Sequence, residues 1–167
     1  MLIRRLVPAD APAYLSLRLA GLLESPTAFS SSYEGECGTP VATIEARLAP
    51  ESGRFVLGAV DGDALVGMAV LGREDGHKVR HKGFIRGMYV APTHRGRGAS
   101  RQMLEQALDA AMAMKDLQQL TLTVTAGNAP ALSLYQSMGF IVFGQAPRSL
   151  LVNGVFHDDL YMVLHLG

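Results

Sequence analysis

Two hydrophobic periods alternate along this chain, and the switches between them predict its elements. Leu2 to Val7 predicts a first strand. Asp10 is positioned to cap a helix running to about Leu23, with Tyr14, Leu15, Leu19, Leu22 and Leu23 as its apolar stripe. Ser25 to Gly38 is polar with small residues, Phe29 and Tyr33, and predicts an irregular segment. Thr39-Pro40, a cap followed by proline, opens a short helix that turns Val41, Ile44 and Leu48 inward. Arg54 to Val60 and Ala64 to Leu71 are strands joined by the hairpin turn Asp61-Gly62-Asp63. Arg73 to Lys82 is a loop, and Gly83 to Ala91 is an apolar central strand. From Arg101 to Lys115 the period lengthens: Met103, Leu104, Ala107, Leu108, Ala111 and Met112 share one side, and Glu105, Gln106 and Asp109 the other. Leu120 to Val124 is a strand, Ala129 to Met138 a helix and Phe140 to Gly144 a strand. Asn153-Gly154 is a hairpin signal between Leu150–Val152 and a last strand, Val155 to His165. This order predicts one α/β domain over residues 1–167, a mixed sheet with helices on both faces.

Composition narrows the function classes. The 167 residues, 49% hydrophobic, suffice for one domain with a full core. Basic and acidic side chains balance at 15 each, so the chain lacks the long-range field of a nucleic-acid binder, and no such partner is expected. The basic run His77, Lys78, Arg80, His81 and Lys82 reads as a solvated loop. A single cysteine, Cys37, permits no internal disulfide, and no apolar run approaches membrane-spanning length. A cytoplasmic protein without a membrane partner is the expectation.

The candidate chemistry begins at Arg95-Gly96-Arg97-Gly98-Ala99-Ser100-Arg101, between the central strand and the long helix. A Gly-rich turn opening a helix gathers unpaired backbone N–H groups on one concave surface. The helix dipole adds partial positive charge there, and phosphate is the natural ligand. Arg95, Arg97 and Arg101 add full charges. A P-loop needs Lys after its glycines, and none follows here. A dinucleotide fold needs a third glycine where Arg101 stands and an acidic residue ending the next strand, which instead runs into Thr125 and Ala126. A second block, Asn128 to Phe140, joins an N-cap asparagine, Pro130 in the first turn and a helix-ending Gly139. Asn128, Ala131 and Tyr135 fall along one helical face, a small residue and then a phenol.

Residues 95–100 resemble the Arg/Gln-x-x-Gly-x-Gly/Ala signature of the GNAT superfamily of acyl-CoA-dependent N-acyltransferases, with Arg95 and Gly98 as anchors and Ser100 as the departure. Residues 128–140 are similar to the same family's Asn-x-x-Ala-x-x-x-Tyr-x-x-x-Gly-Phe segment at every anchor. The resemblance implies a mostly antiparallel sheet splayed between the strands carrying residues 84–91 and 120–125. It implies acetyl-CoA as cosubstrate, with no metal. The pantetheine arm would lie along the backbone of Met88, Tyr89 and Val90, and the diphosphate on Gly96, Arg97, Gly98, Ala99, Ser100 and Arg101. Asn128, Ala131 and Tyr135 would complete the cofactor site. The Val90 N–H would serve the oxyanion, and Tyr135 would act as general acid toward the departing thiolate.

An attacking amine must be neutral, and a primary amine ordinarily titrates near 10 (about), so a base is required. The two central strands carry no carboxylate between residues 84 and 90 or 120 and 124. The candidates are Glu34, Glu36, His77, His81 and His157. Glu34 is preferred, because the 25–38 segment resembles the substrate-side loop of such enzymes. Cys37 as an acyl carrier lacks a basic sequence neighbour. The expectation is direct acetyl transfer to a small-molecule or peptide amine, with a non-catalytic acyl-CoA-sensing module as the alternative. Strand edges near the C-terminus leave room for a homodimer.

Overall fold

A computed structural model describes residues 1–167 as one α/β domain around a seven-stranded sheet of order β1-β2-β3-β4-β5-β7-β6. The strands are β1 (Leu2–Arg5), β2 (Arg54–Asp61), β3 (Ala64–Arg73), β4 (Lys82–Val90), β5 (Gln119–Thr125), β6 (Ile141–Val152) and β7 (Val155–His165). The longer helices are α1 (Ala11–Glu24), α3 (Val41–Leu48), α4 (Ala99–Met112) and α5 (Ala129–Ser137), with a single turn, α2 (Tyr33–Glu36), inside the segment expected to be irregular. All neighbours pair antiparallel except β4 and β5. No helix is long and apolar enough to cross a membrane.

Two cores sandwich the sheet. α1 and α3 cover one face through Tyr14, Leu17, Leu22, Ile44 and Leu48, against Val56, Met68 and Tyr89. α4 and α5 cover the other through Met103, Leu104, Ala107, Ala111 and Tyr135, against Leu57, Ala69, Ile85 and Leu120. The helical periods foretold most of both stripes, but Leu23 of α1 is 61% exposed, Val41 of α3 39% and Met112 of α4 65%, while Leu17, outside the expected stripe, is buried. Asp10 differs from expectation. Its carboxylate accepts from the Val7 N–H at 2.8 Å and pairs with Arg4, so it closes a 3-10 turn at Pro8–Asp10 instead of capping α1. The two short strands expected at 140–144 and 150–152 are one strand, β6, whose register slips between Ala146 and Leu150. Pro147 and Arg148 (φ 52°) lie inside that slip, where a proline has no ladder hydrogen to give.

The central irregularity is in β4. Val70 pairs with Arg86 and Met68 with Tyr89, so three steps along β4 match two along β3. The extra residue makes a β-bulge, and Gly87 within it has φ 61°. The bulge resets side-chain alternation: Ile85 and Met88 both pack on the α4 side, while Tyr89 packs on the α1 side. β4 meets β5 in parallel register only at Lys82↔Gln119, Gly83↔Leu120 and Phe84↔Thr121. Past that point β5 offers residues 85–90 no ladder partner, and the strands diverge.

Gly87→Ala tests this geometry. Its φ belongs to the left-handed region, and an added Cβ would lie 3.3 Å from an Arg18 guanidinium nitrogen. Chemical denaturation should show a loss of roughly 1–2 kcal/mol.

Candidate active site

Backbone direction along the diverging edge of β4 follows from one hydrogen bond. The Ala91 N–H donates to Val66 on β3 at 2.8 Å. Alternation then turns the backbone groups of Tyr89 toward β3 and those of Val90 toward the gap. The Tyr89 carbonyl oxygen does lie against Gly67 of β3, 3.4 Å from where a Cβ would be. Met88, two residues from Val90, shares its gap-facing parity. Of the three backbones expected to line the cofactor path, Met88 and Val90 are therefore free to do so, and Tyr89 is committed to the ladder. Its side chain has another task. The ring packs beside Phe29 at a centroid distance of 6.0 Å, and its hydroxyl lies 3.2 Å from Glu24.

Beyond Val90 a 3-10 turn (Pro92–His94) leads into the glycine turn, where Gly96 has φ 74° and Gly98 φ 83°. An added Cβ at Gly96 would meet nothing within 4 Å, so glycine is needed for conformation and not for room. The first helical bond runs from the Gln102 N–H to the Gly98 carbonyl at 3.0 Å. The six N–H groups from Gly96 to Arg101 find no acceptor in the chain, and they open the positive end of α4.

The three arginines of the turn are placed differently from expectation. Arg95 donates from Nε to the Val90 carbonyl at 3.0 Å, and its terminal nitrogens reach Glu24 at 2.6 and 3.2 Å. Arg101 donates to the Ser137 hydroxyl at 2.8 Å and meets the Met138 sulfur at 3.2 Å, tying α4 to the end of α5. Arg97 points outward, 3.9 Å from Asp61. Arg95 and Arg97 have carboxylate partners and Arg101 only neutral ones, and Arg95 and Arg101 line the same cleft as the free amides.

α5 forms the facing wall. Asn128 accepts from the Ala131 N–H at 3.3 Å and so caps the helix. Met88, Val90, Arg95, Gly96, Gly98, Ala99, Ser100, Arg101, Asn128, Ala131 and Tyr135 line one cleft of about 430 Å3. Tyr135 is 8% exposed, stands edge-on to Phe140 and directs its hydroxyl to the Met88 sulfur at 3.7 Å. Burial pushes its pKa up to about 12. Across the sheet a second cleft, about 520 Å3, runs between α1, α3, β4 and β5. Ala28 lines both clefts, so they approach one another at the divergence of β4 and β5.

The expected bases do not converge on either cleft. Glu34 is exposed on α2 and lines neither, as is true of His77, His81, His157 and the exposed Cys37. Glu36 is held by Arg18 at 2.5 and 2.6 Å, which keeps its carboxyl below the usual range. The one carboxylate in the lining of the second cleft is Asp159 on β7, 7% exposed and accepting from the Ser149 hydroxyl at 2.6 Å. It sits opposite Thr125, whose hydroxyl donates to the Thr27 carbonyl at 2.5 Å, next to the shared Ala28. The sequence did hold a signal for it. Asp158 and Asp159 are consecutive within a strand, so alternation sends one of them inward.

Comparison with known proteins agrees with this architecture. The model of the acetyltransferase (GNAT) family matches residues 20–140. The chain belongs to that family. A GNAT-family acetyltransferase of Streptococcus pneumoniae superposes with TM-score 0.90 at 26% identity, covering 99% of each chain. The yncA structure from Salmonella typhimurium, solved with its cofactor acetyl-CoA, superposes with TM-score 0.86 at 26% identity, covering 100% of this chain and 94% of that one. The spermidine N(1)-acetyltransferase of Vibrio cholerae is 32% identical over 69 residues, 41% of this chain and 40% of its own length.

Tyr135 supplies a direct check. The folded phenol binds its proton more tightly than an unfolded one, which titrates near 10 (about). Its contribution to stability is therefore complete below that pH and lost as pH rises toward about 12. Alkaline titration of tyrosinate absorbance should show a late component that loses its part near pH 12 in Tyr135→Phe, while the part from Tyr14 and Tyr89, which burial also raises, remains.

Proposed function

We propose that the chain moves an acetyl group from acetyl-CoA to a primary amine by direct transfer, with both substrates bound across the gap between β4 and β5. The observation carrying this reading is one cleft that joins five residues with free amide N–H groups, Gly96 and Gly98 to Arg101, to a buried phenol and meets a second cleft at Ala28. Membership of the acetyltransferase family and the acetyl-CoA held by the yncA structure support it.

In this reading the amides of Gly96 to Arg101 hold the diphosphate, and the open edge of β4 at Met88 and Val90 pairs with the pantetheine amides. Ala131, small and facing the cleft, lets the arm lie close to α5. The thioester carbonyl then meets the Val90 N–H, which stabilises the oxyanion formed on attack. The amine enters from the second cleft. Asp159, the carboxylate nearest the shared wall, replaces Glu34 as the group proposed to take its proton. A C–N bond forms, the C–S bond breaks, and the proton leaves through Asp159 to solvent.

Tyr135 serves the departing sulfur by donating a hydrogen bond. A thiol ordinarily titrates near 8.5 (about), so complete transfer from a phenol of pKa about 12 would be uphill by roughly 5 kcal/mol. The thiolate is stabilised at Tyr135 and acquires its proton from solvent. This refines the general-acid role into hydrogen-bond donation.

Steady-state kinetics test each role. Tyr135→Phe should lower kcat at least tenfold with little change in acetyl-CoA affinity. Asp159→Asn should depress kcat/KM for the amine at least tenfold, whereas Glu34→Ala should leave it unchanged. Acetyl-CoA uptake without turnover across a broad amine panel would favour a sensing module instead.

A further inference from the structure

The second cleft has a lopsided charge. Four guanidinium groups, those of Arg18, Arg47, Arg54 and Arg86, line it together with a single carboxylate, Asp159. Two of the four are balanced within the chain: Arg18 by its paired contacts to Glu36, and Arg86 by Glu74 at 3.6 Å. Arg86 is further seated over the Phe84 ring, 4.0 Å from its centroid. Arg47 and Arg54 are different. Both are exposed, and neither guanidinium makes a contact ion pair or hydrogen bond in the chain, although Arg47 lies within electrostatic reach of the Glu36 carboxylate that Arg18 holds.

Their convergence is built into the fold. Arg47 is in the last turn of α3, and Arg54 begins β2. The chain between them folds back through a 3-10 turn, Pro50–Ser52, closed by Gly53 at φ 70°. The buried Tyr14 hydroxyl lies within electrostatic reach of Arg18, Arg47 and Arg54 together. Two cations without contact partners at the mouth of a cleft repel one another and any cationic ligand, and they favour an anion. A planar guanidinium fork matches a carboxylate through two parallel hydrogen bonds. Asp159, deeper in the same cleft and beside the shared wall, has the opposite preference and suits an ammonium group.

Resting on the acetyl-transfer reading above, we infer that the acceptor is a small aminocarboxylate, its carboxylate held by Arg47 and Arg54 and its amine directed toward Asp159 and the gap between β4 and β5. The same charges disfavour a polycation such as spermidine, which the partly similar Vibrio cholerae enzyme is named for.

The test measures thiol release from acetyl-CoA with three sets of acceptors: α- and ω-aminocarboxylates, the methyl esters of the same compounds, and spermidine. The free acids should exceed their own esters by at least tenfold in kcat/KM, with spermidine at background. Esterification lowers amine basicity and enlarges the neutral fraction, so this bias works against the expected order. In the Arg47→Gln/Arg54→Gln variant the ratio of acid to ester should fall to about threefold or less, mainly through KM for the acid, since the charge-assisted hydrogen bonds to its carboxylate are lost. Calorimetry with acetyl-CoA verifies that the variant is folded. Equal rates for acids and esters, preference for spermidine or for an acidic peptide N-terminus, or a ratio unmoved in the variant would each overturn the assignment. Failure of the wild-type protein to take up acetyl-CoA would instead remove the transfer reading itself.

Discussion

β4 and β5 share three register pairs before they part, and the space they leave is what both clefts open onto. Abandoned strand pairing is costly, because each buried backbone group without a partner loses about 1–3 kcal/mol. Local features offset that cost. β5 is paired with β7 along its whole length, Gln119↔His165 to Thr125↔Asp159, so its other edge is secure. The Val90 carbonyl, turned into the gap, is satisfied by Arg95. The Thr125 hydroxyl at the end of β5 donates to the Thr27 carbonyl and so satisfies a backbone acceptor of the segment after α1. The bulge at Gly87 lets β4 leave β5 without leaving β3, because the extra residue is absorbed on β4 alone.

The same economy of partners governs charge at the glycine turn. Glu24 gathers Arg95 and the Tyr89 hydroxyl, which lowers its own pKa chiefly through the Arg95 hydrogen bond. α1, β4 and the turn are thereby fixed to one another through a single carboxylate. Asp61, at the β2–β3 hairpin, stands near His94 at 3.3 Å and Arg97 at 3.9 Å, and holds the far side of the turn. These contacts fix the loop against α1 and the β2–β3 hairpin while its amides stay free.

What was legible in the sequence was what neighbours in the chain decide. Periodicity located α4, Asn128 announced its own cap, and the Asn153-Gly154 turn defined the last hairpin; each depends on residues within a few positions. The glycine turn was legible because glycine is costly except where a positive φ demands it. What escaped depends on distant partners. Nothing near Arg95 reveals that Glu24, 71 residues earlier, claims its guanidinium. Nothing near Gly87 distinguishes a bulge from an ordinary strand glycine, since the defining count belongs to β3. Asp158-Asp159 announced that one of the pair turns inward, and the register of β7 on β5 decides that it is Asp159. A resembling loop around Glu34 says nothing about which way a one-turn helix aims its side chains, and Glu34 is exposed.

Because the amides of the glycine turn are free and Arg95 and Arg97 already face carboxylates, a diphosphate resting on the turn would be held largely by short-range dipoles in direct contact, with Arg101 the one turn cation not paired to a carboxylate. Mobile ions screen separated monopoles over a Debye length of about 8 Å at physiological ionic strength, and they intervene far less between atoms already touching. Affinity built this way persists in concentrated electrolyte, whereas any ligand drawn in by the bare cations of the opposite cleft would be released as electrolyte is added.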